Sequence, residues 1–145
     1  MKILIVGDVH LDKGTSIGKN ITGEHNSRNQ DKIKLLDWVL EQAQLHQVSR
    51  IILTGDIFEH FKPDYSVLEI FLKFLQKVSC LPNNGEAQII IDIIFGNHDI
   101  KRIGDKYFSV LDLLNYFNFD NVFLHSKIES IQCDDAKICF VPFRD

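Results

Sequence analysis

The stretch Ile89-Ile90-Ile91-Asp92-Ile93-Ile94-Phe95-Gly96-Asn97-His98-Asp99 decides the fold. A run of apolar, mostly β-branched residues stops at a glycine, and an amide, an imidazole and a carboxylate follow at once. The same grammar occurs twice upstream. Ile3-Leu4-Ile5-Val6 runs into Gly7-Asp8-Val9-His10, and Ile51-Ile52-Leu53-Thr54 runs into Gly55-Asp56. Continuous apolar runs of this length read as parallel strands buried on both faces. Three such strands would deliver oxygen and nitrogen donors to one edge of one sheet, where open α/β sheets place their chemistry.

Between these runs the spacing turns helical. Leu36, Val39, Leu40 and Ala43 share one helix face from about Asp31 onward, and Leu68, Phe71, Leu72 and Leu75 share another up to about Val78. Ser66 and Glu69 have the spacing of a capping box. Pro82-Asn83-Asn84-Gly85 ends that helix. A shorter helix is expected behind Ser109, with Val110, Leu113, Leu114 and Phe117 inward. Short strands follow at 122–124, 128–133 and 137–143, the last two paired as a hairpin across Asp134-Asp135. The order β-α-β-α-β-α-β-β-β points to an α/β domain with right-handed crossovers. Residues 11–30 are polar and glycine-bearing, a loop long enough to expect a function for it.

The chain has 145 residues, enough for one domain with a sizeable core, and we expect a single domain over 1–145. Its net charge of −4 excludes a global electrostatic footprint for nucleic acid, so any such contact needs a local patch. Three cysteines without Cys-x-x-Cys spacing fit buried free thiols in a reducing, cytoplasmic setting. No apolar stretch approaches membrane-spanning length, and no membrane partner is expected.

Asp8 and His10 alternate along an extended segment, so both can grip one ion. Asp56 can bridge two ions with its two oxygens. Asn97 offers a neutral carbonyl oxygen. His98, turned the other way, faces substrate as a proton donor or phosphate contact. Hard carboxylate and amide oxygens with an imidazole suit a pair of divalent cations. Glu59 either orients His98 or is solvated, and Asp99 either orients His98 or caps the turn. Lys13, Lys19, Arg28, Lys101 and Arg102 flank the site and are candidate phosphate contacts. Each motif alone is commonplace: Asp-x-His occurs on surfaces, Gly-Asp in turns, Asn-His-Asp at helix caps. The other histidines, His25, His46, His60 and His125, read as solvated or capping residues.

With Asp8, His10, Asp56, Asn97 and His98 in this order, the chain resembles the calcineurin-like metallophosphoesterases. Within that superfamily it is most similar to the SbcD-type nucleases, on Leu35-Leu36-Asp37-Trp38-Val39-Leu40, on Gly55-Asp56-Ile57-Phe58-Glu59 with Pro63 soon after, and on Phe140-Val141-Pro142-Phe143-Arg144. The resemblance implies the phosphoesterase sandwich, β-sheets flanked by helices. It implies Asp8 and His10 on one metal, Asp56 bridging, Asn97 on the second and His98 as the catalytic histidine. It also implies two divalent ions, typically Mn2+, about 3.5–4 Å apart and sharing an attacking hydroxide. The expected activity is exo- and endonuclease cleavage of DNA in repair or recombination. The expected partners are DNA, an SbcC-type coiled-coil ATPase and a second copy as a homodimer.

The family's later His and Gly-His-x-His are absent after Gly96. We therefore expect an incomplete C-terminal half: the N-terminal part of a longer nuclease, its capping domain beyond residue 145. The competing expectations are a phosphoesterase acting on a small phosphodiester and a non-catalytic remnant of the fold.

Overall fold

The computed structural model describes residues 1–13, 27–83, 87–134 and 136–143. In chain order the elements are β1 (Ile3–Val6), α1 (Ser27–Leu45), β2 (Arg50–Leu53), α2 (Tyr65–Ser79), β3 (Pro82–Asn83), β4 (Ala87–Gln88), β5 (Ile90–Ile94), β6 (Ile100–Ile103), β7 (Lys106–Ser109), a 3-10 helix (Val110–Tyr116), β8 (Val122–His125), β9 (Glu129–Cys133) and β10 (Ala136–Phe140). The three apolar runs become neighbours in a parallel sheet ordered β1-β2-β5-β8. Successive strands add on one side only. Right-handed crossovers then put both helices on the same face.

That face holds the main core. Leu4, Val6, Ile51, Leu53, Ile91 and Ile93 meet Leu36, Val39, Leu40 and Ala43 of α1, together with the inner side of α2. The α1 stripe is the one its spacing predicts, but the helix starts at Ser27, inside the stretch expected to be loop. On α2 the stripe is rotated. Val67, Ile70, Phe71, Phe74, Leu75 and Val78 are buried, whereas Leu68 and Leu72 are only half-buried. The helix is apolar around much of its girth, so two stripes compete, and the longer one faces the sheet. The expected cap is also displaced. Asp64 is the N-cap, accepting from the Ser66 amide (3.1 Å) and the Ser66 hydroxyl (2.9 Å), and Ser66 lies inside the helix.

The helix behind Ser109 is a 3-10 helix, closed by a reciprocal Ser109–Asp112 capping box. Three residues per turn place Leu111 and Leu114 on one side. These are the buried pair, and Leu113 and Phe117 point outward. The hairpin β6–β7 has no counterpart in the sequence expectation. Its two-residue loop starts at Gly104, whose φ of +62° is one that L side chains rarely adopt.

The opposite face of the sheet is built differently. Arg50, Ile52, Asp92 and His125 alternate away from the helices. Arg50 pairs with Asp92; His125 Nε2 meets Asp92 at 2.8 Å, and His125 Nδ1 meets Glu129 at 2.7 Å. The His125 ring stacks on Phe140 at 3.6 Å. The β9–β10 hairpin is therefore clasped to this face by the polar contacts of His125 and by its stack on Phe140. His125 is 5% exposed, so the solvated or capping role expected for it is wrong. Ile5 and Phe123 on the same face stay 66% and 47% exposed. The cysteines are free thiols, but only Cys133 is buried.

Candidate metal centre

The ends of β1, β2 and β5 fray into loops that lock to one another. His10 N–H donates to the Asp56 carbonyl (2.9 Å), Leu11 N–H to the Ile57 carbonyl (2.8 Å) and Glu59 N–H to the Leu11 carbonyl (3.0 Å). The β2 and β5 loops touch through glycines. A Cβ on Gly96 would fall 2.2 Å from Asp56 Oδ1, and one on Gly55, where φ is +100°, would fall 2.6 Å from the Gly96 nitrogen. Neither position has room for a side chain. This close approach lets the His98 amide reach Asp56 Oδ1 at 3.0 Å.

Asp8, His10 and Asp56 all sit in the left-handed region, with φ of 50°, 47° and 49°. Non-glycine residues rarely take this conformation, and it clusters at functional sites. Here it turns three donor-bearing side chains to one spot. Asp8, His10 and Asp56 each offer a ligand atom, all within 4.8 Å of one another, and His10, Glu59 and His98 form a second such group. Two carboxylates and an imidazole at this spacing fit a hydrated divalent cation. Asn97 is exposed on the same turn, one residue before the anchored His98 amide.

His98 Nδ1 lies 2.7 Å from the main-chain carbonyl of Glu59. A carbonyl only accepts, so Nδ1 carries the proton and Nε2 is left for a ligand or substrate. That bond raises the His98 pKa above its ordinary value, and the Asp56, Glu59 and Asp99 carboxylates push the same way, while burial opposes them. The His10 ring meets His98 edge-on at 4.9 Å. The expectation that the Glu59 side chain orients His98 fails. Its carboxylate instead stands 3.1 Å from His10 Nδ1, and only its backbone holds His98.

Of the two roles open to Asp99, the geometry favours closing the turn over orienting His98. Asp99 is fully buried, and its carboxylate accepts from the Gly96 amide (3.0 Å) and the Phe58 amide (3.1 Å), not from His98. Burial pushes its carboxyl up, against the pull of those two amides. It clips the β5 loop to the β2 loop.

The cations fare unevenly. Lys13 is 3.0 Å from Asp64, at the head of α2. Lys101 is exposed and lies 5.6 Å over the Phe61 ring. Arg102 donates to the Gly104 carbonyl and faces Tyr107. Lys19 lies outside the described residues, as does the side chain of Arg28. One cation escaped the sequence reading. Lys32 Nζ on α1 donates to the Val9 carbonyl (2.7 Å), between Asp8 and His10. A main-chain acceptor leaves no trace in a sequence.

Among the described residues no helix is long and apolar enough to cross a membrane. The SbcD component of the nuclease SbcCD from Escherichia coli strain K12 is 33% identical over 118 residues, 79% of this chain and 25% of that protein, and its O157:H7 counterpart matches equally. The chain thus spans about a quarter of the length of these curated relatives. The family model for calcineurin-like phosphoesterases matches residues 1–141, which takes in every donor brought to this edge, and the chain belongs to that family.

Proposed function

We propose that this chain carries the metal-binding and proton-donating half of a DNA phosphodiesterase of the SbcD type, acting as an exo- and endonuclease in repair or recombination. The observation that carries the reading is the meeting of Asp8, His10 and Asp56 at one sheet edge beside an imidazole whose free nitrogen is fixed by the main chain. Asp8, His10 and Asp56 would hold a first divalent ion, and Asp56 with Asn97 would contribute to a second. The donor set favours Mn2+ among hard cations, since it mixes an imidazole with carboxylates. Such ions, when bound, supply Lewis-acid polarisation of the phosphodiester and activation of water. His98 does the rest from this chain: with Nδ1–H held by the Glu59 carbonyl, the doubly protonated ring gives its Nε2 proton to the departing sugar oxygen. Its raised pKa favours that charged, donating form.

Asp56 and Asn97 are a thin hold for a second ion. We assign that site's remaining ligands to residues outside this set. By analogy with the SbcCD relatives, the working assembly would be cytoplasmic, would pair this protein with an SbcC-type coiled-coil ATPase, and would contain two copies of it.

Calorimetry with Mn2+ and a cleavage assay on single-stranded DNA test the reading together. His98→Ala is expected to leave metal affinity within about twofold and to lower turnover by at least about 100-fold, the range for a positioned general acid. Parallel loss of metal and activity would make His98 a ligand. Cleavage of a cyclic nucleotide but not of DNA would favour the small-substrate phosphodiesterase.

A further inference from the structure

Just behind the Gly96–Asp99 turn lies a cleft of about 330 Å³, distinct from the metal donors. Phe95 and Ile100, which bracket the turn, line it together with Tyr107 and Phe108 of β7, Phe143 and Lys127. Phe143 is held there by its amide, which donates to the Phe95 carbonyl at 2.8 Å. Tyr107, Phe108 and Phe143 are each a little over 40% exposed, but Tyr107 and Phe108 are successive residues of β7 and face opposite sides of the hairpin, which leaves Tyr107 and Phe143 as the accessible rings at the opening. The β6–β7 hairpin that forms one wall carries exposed Arg102 on the side of Tyr107 and exposed Lys101 and Lys106 on its other side, and Lys127, also exposed, lines the cleft. Asp112 also lines the cleft, but its carboxylate serves the cap of the 3-10 helix.

Aromatic surface with cations at its rim, next to a phosphate-handling centre, is the arrangement by which proteins hold single-stranded nucleic acid without reading its sequence. We propose that this cleft takes the unpaired nucleobase beside the scissile phosphate, stacked against Tyr107, with Lys127 and Arg102 on the flanking phosphates. The proposal rests on the DNA reading above and adds a base-binding subsite to it. It also gives the hairpin a purpose: the Gly104-Asp105 turn folds residues 100–109 back, so that Tyr107 pairs with Arg102, three residues after Asp99. Because any base has a face to stack, the subsite would favour frayed or single-stranded ends over closed duplex and would be nearly indifferent to base identity.

The test is a binding titration of the 145-residue chain with single-stranded oligonucleotides whose phosphorothioate linkages slow hydrolysis. One oligonucleotide ends in 2-aminopurine, and its partner ends in an abasic residue. The 2-aminopurine emission is expected to fall on binding, and the abasic strand is expected to bind roughly tenfold more weakly. Tyr107→Leu, folded by circular dichroism, should restore the emission and bind both strands alike. The abasic comparison needs no variant, so it decides even if Tyr107→Leu does not fold. Equal affinity for the two strands with unchanged emission overturns the subsite and leaves the DNA reading intact. Failure to bind either strand, with bis(p-nitrophenyl) phosphate still cleaved, overturns the subsite and the DNA reading together.

Discussion

Asp99 is the residue through which the site depends on burial. It is an acid enclosed on all sides, and its two oxygens serve two backbone amides from different loops. Asp99→Ala leaves both amides buried without an acceptor and should cost about 1–3 kcal/mol, read from urea unfolding. Asp99→Asn keeps one acceptor oxygen and should cost less. At the far rim, Asp64 makes the opposite case. Its hydrogen bond from Lys13, then those from the Ser66 amide and hydroxyl, hold its pKa at about 2, below the ordinary 3.8. A depressed folded pKa gives stability that is full above the unfolded value and is lost as pH falls through the folded one. The α2 cap should therefore weaken between about pH 4 and pH 2. Lys13→Met should move the Asp64 midpoint, followed by carboxyl NMR, upward toward the ordinary value, while the Ser66 bonds keep part of the shift.

At the scale of elements, the strand-to-loop junctions set precision. Gly96→Ala would force a methyl to 2.2 Å from Asp56 Oδ1, so the two loops must part. The expected result is loss of Mn2+ affinity in calorimetry together with a lower melting temperature. Gly104→Ala meets nothing within 4 Å but strains a φ of +62°. It should cost roughly 1–2 kcal/mol and leave metal affinity alone. The strands and the donors at their ends are legible because buried parallel strands and the glycines after them mark the sequence directly. The β6–β7 hairpin carries one sign, the two-residue Gly104-Asp105 loop, but Ile100–Ile103 and Lys106–Ser109 on either side show no alternation, and the hairpin escapes the sequence reading. The α2 cap and stripe are misplaced there because Asp64 competes with Ser66 and the helix is apolar on more than one side.

At the scale of the whole molecule, the two faces of the sheet obey different rules. The helix face is a dry apolar core. The other face joins Arg50, Asp92, His125 and Glu129 in a chain of polar contacts that ties β9–β10 to β5. Arg50→Met strands a buried carboxylate and should cost about 3–5 kcal/mol, with amide exchange at Phe140 accelerating first. A sequence does not announce such a cluster. Asp92 looks like an interruption in an isoleucine run, and His125 looks like a loop residue, until parallel register sets them on adjacent strands. The candidate site divides the same way. Its side-chain donors are readable, and the main-chain acceptors that hold Lys32 and His98 are not.

The carbonyl of Glu59 has one more consequence. Every amino acid brings that oxygen, so a saturation library at position 59 would disturb the contact with His10 and leave the His98 proton where it is. Position 59 is therefore free to drift among descendants without cost to the donor, whose setting is inherited through the path of the chain rather than through any codon.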